Sequence, residues 1–229
     1  ESAGLIRRLP EAPDVIHVPP ERRLSLDFYK NNSVHWLLVP SLVSSLLLQG
    51  HDPGSLAEPL GEWLDLYRLE FPGPPAAERA ALLERILSKY REAGAIDAEG
   101  RLDRRHVLVE ATAGVLDSFH EPYRIVAQVL LQLERQGAAE KTIEDRIKKQ
   151  YKAAFLLGEV RKPEGQSVIT LNNALERYVE AGCITATRRP SRLRTRSRER
   201  WIAPGPEADR LREFESRLTA VLVTSNEDR

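Results

Sequence analysis

Apolar positions along the chain recur mostly at helical spacing. From Leu24 the stretch LDFYKNNSVHWLLVPSLVSSLLLQG places Tyr29, Ser33 and Trp36 on one stripe, continued by Val43 and Leu47. Pro40 is expected to bend or interrupt this helix, because it removes a donor and crowds the preceding turn. Gly50 is a stop. A second helix aligns Leu60, Leu64 and Tyr67 and is closed by PGPP at 72–75. A third, AAERAALLERILSKYREAGAI, lines Leu82, Leu83, Ile86, Leu87 and Tyr90 along one face. RRHVLVEATAGVLDSFHEPYRIVAQVLLQLERQG reads as one long helix or two joined near Pro122. TIEDRIKKQYKAAFLLGEV follows, with Thr142 and Asp145 at capping-box spacing. SVITLNNALERYVEAGCI and EADRLREFESRLTAVLV complete the series.

The fold class is therefore mainly α, a multi-helix domain with one short β-hairpin near 183–203. Residues 1–23 hold four prolines and read as a linker or surface arm, in which DVIHV can add an edge strand. The helical domain spans 24–223, and 224–229 is expected to fray.

KYREAGAI (89–96) and RYVEAGCI (177–184) match at five of eight positions. The plainer explanation is two helices that end alike, at a glycine followed by an apolar residue returning to the core. The alternative is a pair of winged-helix-like units.

The run from Val34 to Leu48 raises the question of a membrane span. It has 15 positions and contains His35, Pro40, Ser41, Ser44 and Ser45. A span needs about 20 mostly apolar residues, so a buried or interfacial helix is expected.

Composition changes little in this picture. The 229 residues carry 41% hydrophobic and 30% charged positions with a formal net charge of zero, an ordinary globular balance. The single cysteine, Cys183, excludes an intrachain disulfide and is expected to be a buried, inert thiol in a reducing compartment. The chain has no methionine and begins at Glu1, which suggests an excised fragment; no signal-peptide pattern follows Arg7 and Arg8.

Charge is concentrated in one place. From Arg188 to Arg200 there are seven arginines and one glutamate, and Arg192, Arg194, Arg196, Arg198 and Arg200 alternate strictly. On a continuous strand all five would share a face. The plainest reading is a solvated hairpin loop. An anionic lipid surface or an acidic protein comes next. Nucleic acid ranks last, because the domain is neutral overall and no stacking aromatics interleave the run.

Motifs for catalysis are scarce. The histidines His17, His35, His51, His106 and His120 lie at no metal spacing, so no metal site is expected. No nucleophile elbow, P-loop or dinucleotide fingerprint occurs, and no cofactor is called for. A histidine followed five positions later by aspartate would pair a base with its orienting carboxylate. The five residues at that offset are Arg22, Pro40, Leu56, Ala111 and Ile125. On a helix Asn31 and His35 share a face, with Asn32 adjacent; from residue types alone His35 reads as a histidine at the rim of the core.

The segment LDFYKNNSVHWLLVPSLVSSLLL resembles the start of the C-terminal domain of the large bacterial membrane-associated glycerol-3-phosphate acyltransferases, related to the mitochondrial enzymes. Tyr29, Asn31, Asn32, His35, Pro40 and Ser41 fit its Tyr-x-Asn-Asn-x-x-x-His and Pro-Ser pattern. The resemblance implies an enzyme that acylates the first hydroxyl of glycerol 3-phosphate from acyl-CoA or acyl-carrier protein. Its His-x-x-x-x-Asp pair belongs to an upstream catalytic domain, so this portion is expected to be inactive alone and no catalytic residue is carried over. Tyr29, Asn31, Asn32 and His35 would then face the interdomain surface. The protein would be cytoplasmic and peripheral to the inner membrane; beyond what the resemblance supplies, which has no fixed arginine ribbon, Arg192, Arg194, Arg196, Arg198 and Arg200 would rest on anionic lipid. The competing reading is a winged-helix-like nucleic-acid-binding or protein-interaction module that uses residues 188–200.

Overall fold

The computed structural model describes residues 7–9, 12–17, 19, 23–161, 167–190 and 198–227, with the backbone alone described at 7–17, 23–32 and 225–227. Among these residues the helices are α1 (Arg23–Leu48), α2 (Ala57–Leu66), α3 (Ala76–Glu92), α4 (Val107–Ala113), α5 (Asp117–Leu131), α6 (Glu140–Leu156), α7 (Val168–Glu180) and α8 (Arg210–Glu227). Two short strands, β1 (Arg7–Leu9) and β2 (Ala12–His17), form an antiparallel hairpin ahead of α1. The expected edge strand therefore exists, paired with its own neighbour. The second sheet is antiparallel with order β3-β5-β4, from β3 (Ala138–Ala139), β4 (Ile184–Pro190) and β5 (Arg198–Pro204). The mainly α expectation holds.

The central element is the second half of α1. All residues from Ser41 to Leu48 are buried, so this stretch is enclosed on every side, as a helix apolar around its circumference must be. No helix among the described residues is long and apolar enough to cross a membrane. The helix runs through Pro40 without ending. Three serines on this buried half need partners. Ser44 Oγ lies 2.7 Å from both Tyr90 Oη on α3 and Thr112 Oγ1 on α4. Tyr90 Oη also approaches the Pro40 carbonyl at 3.3 Å, and Thr112 donates to the Leu108 carbonyl at 2.8 Å. This polar knot fixes the rotation of α1 against α3 and α4, since turning the helix would strip Ser44, Tyr90 and Thr112 of their mutual bonds; Ser41 Oγ is buried without a partner among the described residues.

Trp36 departs from the expected stripe. It is 77% exposed, while Val34, Leu38, Leu42 and Leu46 are buried. The core-facing stripe runs through 34 and 38, one step away from the Tyr29–Ser33–Trp36 line, and Trp36 projects outward. His35 is exposed as well, so it is not at the rim of the core.

The helix break also falls elsewhere than expected. α4 ends at Gly114 and α5 starts at Asp117, whereas Pro122 lies inside α5. A proline in the second turn removes only the bond to the Ser118 carbonyl, and tertiary packing compensates for it: Tyr123, Ile125, Val126 and Ala127 are fully buried. Thr142 and Asp145 do not form a capping box, because α6 begins two residues earlier with Ala139 at its N-cap. α8 continues to Glu227, through most of the segment expected to fray.

The two echoing sequences do end their helices alike. Gly94 and Gly182 have φ of 79° and 73°. The Ala95 N–H donates to the Tyr90 carbonyl and the Cys183 N–H to the Tyr178 carbonyl, at 2.8 and 3.0 Å, which is the Schellman pattern. Each end then enters a β-pairing. After Gly94 this is only a bridge between Ile96 and Leu102. After Gly182 it is the β4–β5 hairpin. The order α5–β3–α6–α7–β4–β5, with β5 central in the sheet, is winged-helix connectivity. Common caps and winged-helix likeness thus coexist, the latter fully formed only in the second half. Cys183 is buried and free, and burial pushes its thiol pKa up.

Candidate interdomain surface

The site residues expected from the sequence fall on two separate elements. Tyr29, Asn31, Asn32 and His35 all lie on α1. The helix is 26 residues long, about 39 Å at the usual rise, and its residues 41–48 are enclosed. At positions 33–37 it buries Val34 and exposes Ser33, His35, Trp36 and Leu37. The His35 and Trp36 rings lie 5.0 Å apart at 41°. The side chains of Tyr29, Asn31 and Asn32 lie outside the described ones, although their helical register puts Asn31 on the His35 face. The result is a stretch of α1 that carries an indole and a leucine side chain to solvent. Trp is the residue type that most often anchors a protein contact.

The arginine ribbon is not one described strand. β4 ends at Pro190, and Arg192, Arg194 and Arg196 fall outside the described residues. Arg198 and Arg200 lie on β5. Arg198 is exposed, but Arg200 forms ion pairs with Glu140 at 2.7 Å and with Glu176, tying β5 to the starts of α6 and the middle of α7. Arg189 stacks over Trp201, its guanidinium carbon 4.7 Å from the ring centroid. The Trp201 indole donates to the Gln136 carbonyl at 2.8 Å. Part of the basic run is thus spent inside the winged-helix unit. Arg200→Ala is expected to lower stability by about 1 kcal/mol, since the pair is partly exposed, and Arg198→Ala to change it by less than about 0.5 kcal/mol. Chemical denaturation of the two variants checks this.

Other histidines serve structure. His106 caps α4: its Nδ1 accepts from the Leu108 N–H at 3.2 Å and its Nε2 donates to the Ala93 carbonyl at 3.0 Å. His120 is fully enclosed, with Nδ1 2.5 Å from Tyr67 Oη. It sits among Trp63, Tyr67 and the neighbouring Tyr123. Burial lowers its pKa to about 3. A base so enclosed has no route to a substrate. Glu70, reached by the Tyr123 hydroxyl at 3.3 Å, has its pKa raised by burial. Among the described residues no three His, Cys, Asp or Glu side chains group so as to hold a metal.

Sequence reasoning missed two features. The exposure of Trp36 is one; the signal available was the displacement of Val34 and Leu38 from the Trp36 line. The His120–Tyr67 pair is the other, and with the partners 53 positions apart no local pattern announces it.

These features define a predominantly helical domain with a winged-helix unit and, on α1, an exposed Trp36 and Leu37. The chain belongs to the family of glycerol-3-phosphate acyltransferase C-terminal regions, whose pattern matches residues 1–187. The match stops within β4, so the arginine ribbon lies beyond it. No curated protein matches the chain, and no solved structure does.

Proposed function

We propose that this chain is the accessory region of a glycerol-3-phosphate acyltransferase and that it docks on the acyl-transferring portion through the exposed side of α1 around Trp36. The full reaction would move an acyl group from acyl-CoA or acyl-carrier protein to the first hydroxyl of glycerol 3-phosphate. The observation that carries the docking reading is Trp36, 77% exposed beside exposed His35 and Leu37 on a helix whose continuation is fully enclosed. Leaving an indole in water forgoes about 2 kcal/mol of burial, which a partner surface recovers. Tyr29, Asn31 and Asn32 lie one to two turns before it on the same helix. Acyl transfer from a thioester calls for a base that reaches the hydroxyl. No histidine of this chain is followed five positions later by aspartate, so catalysis is assigned to the other portion. The winged-helix unit supplies no comparable argument for nucleic acid, because Arg200 is neutralised internally by Glu140 and Glu176.

The test is association in trans. The acyl-transferring portion and this chain are produced as separate polypeptides and their affinity is measured, together with acyl-CoA turnover. Trp36→Ala is expected to weaken association at least tenfold, with His35→Ala adding to it, and this chain alone is expected to give no turnover. Unchanged affinity for the double variant would defeat the docking surface. Turnover by the isolated chain would defeat the accessory assignment.

A further inference from the structure

A groove of about 480 Å³ runs between α5 and α6, lined by Val129, Gln132, Arg146, Lys149, Gln150 and Ala153. The four residues from α6 stand at i, i+3, i+4 and i+7, which places them on one face of the helix. That face borders the line of Ile143, Ile147, Tyr151 and Ala154, which α6 buries against the domain. Val129 of α5 is buried and forms the floor, and Gln132 caps the end of that helix. The volume suits an organic molecule better than a bare ion.

Two cations and a tethered amide meet on one wall, and no carboxylate lines the groove. Neither Arg146 nor Lys149 has an ion pair or a hydrogen bond among the described residues. Arg177 and Arg200, by contrast, are spent on carboxylates of neighbouring helices. Gln150 is held in place by a chain of bonds through two other helices. Its Nε2 donates to Gln128 Oε1 at 3.1 Å, and Gln128 Nε2 donates to Glu215 Oε1 on α8 at 2.8 Å. Thr219 donates to the same carboxylate oxygen at 3.1 Å. A primary amide has two N–H bonds, so Gln150 keeps one for a ligand while its position is fixed. The wider field has the same sign: between residues 146 and 161 there are five basic side chains and one acidic one, Glu159.

We propose that this groove binds a small organic phosphate, with Arg146 and Lys149 on the phosphoryl oxygens, the free N–H of Gln150 donating to one of them, and the organic part lying over Val129 and Ala153. A guanidinium presents paired N–H donors at the spacing of two phosphoryl oxygens, and the lysine ammonium adds a second charge as a point donor. A phosphomonoester carries nearly two negative charges at neutral pH and so matches two cations, whereas a carboxylate brings one. The groove shares no residue with the exposed stretch of α1 and does not depend on the docking assigned to Trp36.

Titration of the chain with phenyl phosphate, inorganic phosphate and benzoate at low salt, followed by ligand-observed NMR, tests this. Phenyl phosphate is expected to bind about tenfold more tightly than inorganic phosphate, because its ring covers the apolar floor, and about fivefold more tightly than benzoate, because it carries more charge. Arg146→Gln with Lys149→Gln should weaken phenyl phosphate binding about thirtyfold or more. Lys148→Gln with Lys152→Gln removes the same charge from exposed positions of α6 outside the groove and should weaken it less than about threefold. Ala153→Phe fills the groove without changing its charge and should abolish binding. All five replaced side chains are exposed, so folding should be kept, and thermal melting monitors it. The proposal is overturned if the parent chain binds none of the three probes, or if inorganic phosphate or benzoate binds as tightly as phenyl phosphate. It is equally overturned if the two double variants weaken binding alike, which would make the attraction a property of the whole helix, or if Ala153→Phe binds unchanged.

Discussion

Leu42→Ala is expected to lower the unfolding free energy by about 3–4 kcal/mol, while Trp36→Ala, less than two turns earlier on the same helix, changes it by no more than about 0.5 kcal/mol. Leu42 is 1% exposed, at the point where α1 becomes enclosed by its neighbours. Truncating it removes the transfer energy of its side chain and leaves a cavity that helices on all sides are too constrained to close. For a chain of this length the loss corresponds to a fall of about 10 °C in melting temperature. Trp36 is the larger residue, and a reading by residue type alone would rank it the more damaging. Its exposure reverses that order. Equal destabilisation by the two variants would mean that the α1 end is packed in the isolated chain, and the docking surface assigned to it would fall.

What could be seen in the sequence depended on whether a signal was local. The face of α3 was legible because Leu83, Ile86, Leu87 and Tyr90 repeat at the helical period and all four are buried. The Schellman ends at Gly94 and Gly182 were legible because a positive φ selects glycine wherever it occurs. The burial of residues 41–48 followed from an apolar run too short and too polar for a bilayer. Other features were set from a distance. β3 consists of Ala138 and Ala139, residues with no strand preference, and it exists because Ile202 and Trp201 of β5 lie opposite. The break at Gly114 prevailed over Pro122 because α5 is packed along its whole length, and tertiary burial outweighed one lost backbone bond.

The candidate surface was half legible for the same reason. The positions Tyr29, Asn31, Asn32 and His35 were singled out by the family resemblance, and all four lie on α1. Which face of that helix meets the core is decided by the knot of Ser44, Tyr90 and Thr112, whose members come from three helices. Without that rotation Trp36 cannot be told from a core residue. Arg200 shows the converse: its place in an alternating series suggested a free cation, and Glu140 and Glu176 from two other helices neutralise it.

Lowering the pH is expected to destabilise the chain through His120, and His120→Gln to remove that part of the loss. Burial depresses the folded-state pKa of His120 from 6.5 to about 3. An imidazolium would bring two N–H donors into a site where only Tyr67 Oη is within reach; Nε2 is buried without a partner among the described residues. The unfolded chain accepts a proton near pH 6.5 and the folded chain does not. The contribution of the neutral imidazole is therefore fully present above pH 6.5 and is lost progressively as pH falls from 6.5 towards 3. The slope is about 1.4 kcal/mol per pH unit, or about 2 kcal/mol by pH 5. Glu70 acts in the opposite sense, since burial raises its pKa and the folded state holds that proton more tightly. Its effect is common to the parent chain and the variant and cancels in their difference. Urea unfolding from about pH 7 to about pH 5 reads that difference directly. Parallel pH dependences for the two proteins would show that His120 accepts its proton in the folded state, and the enclosed, neutral imidazole would have to be abandoned.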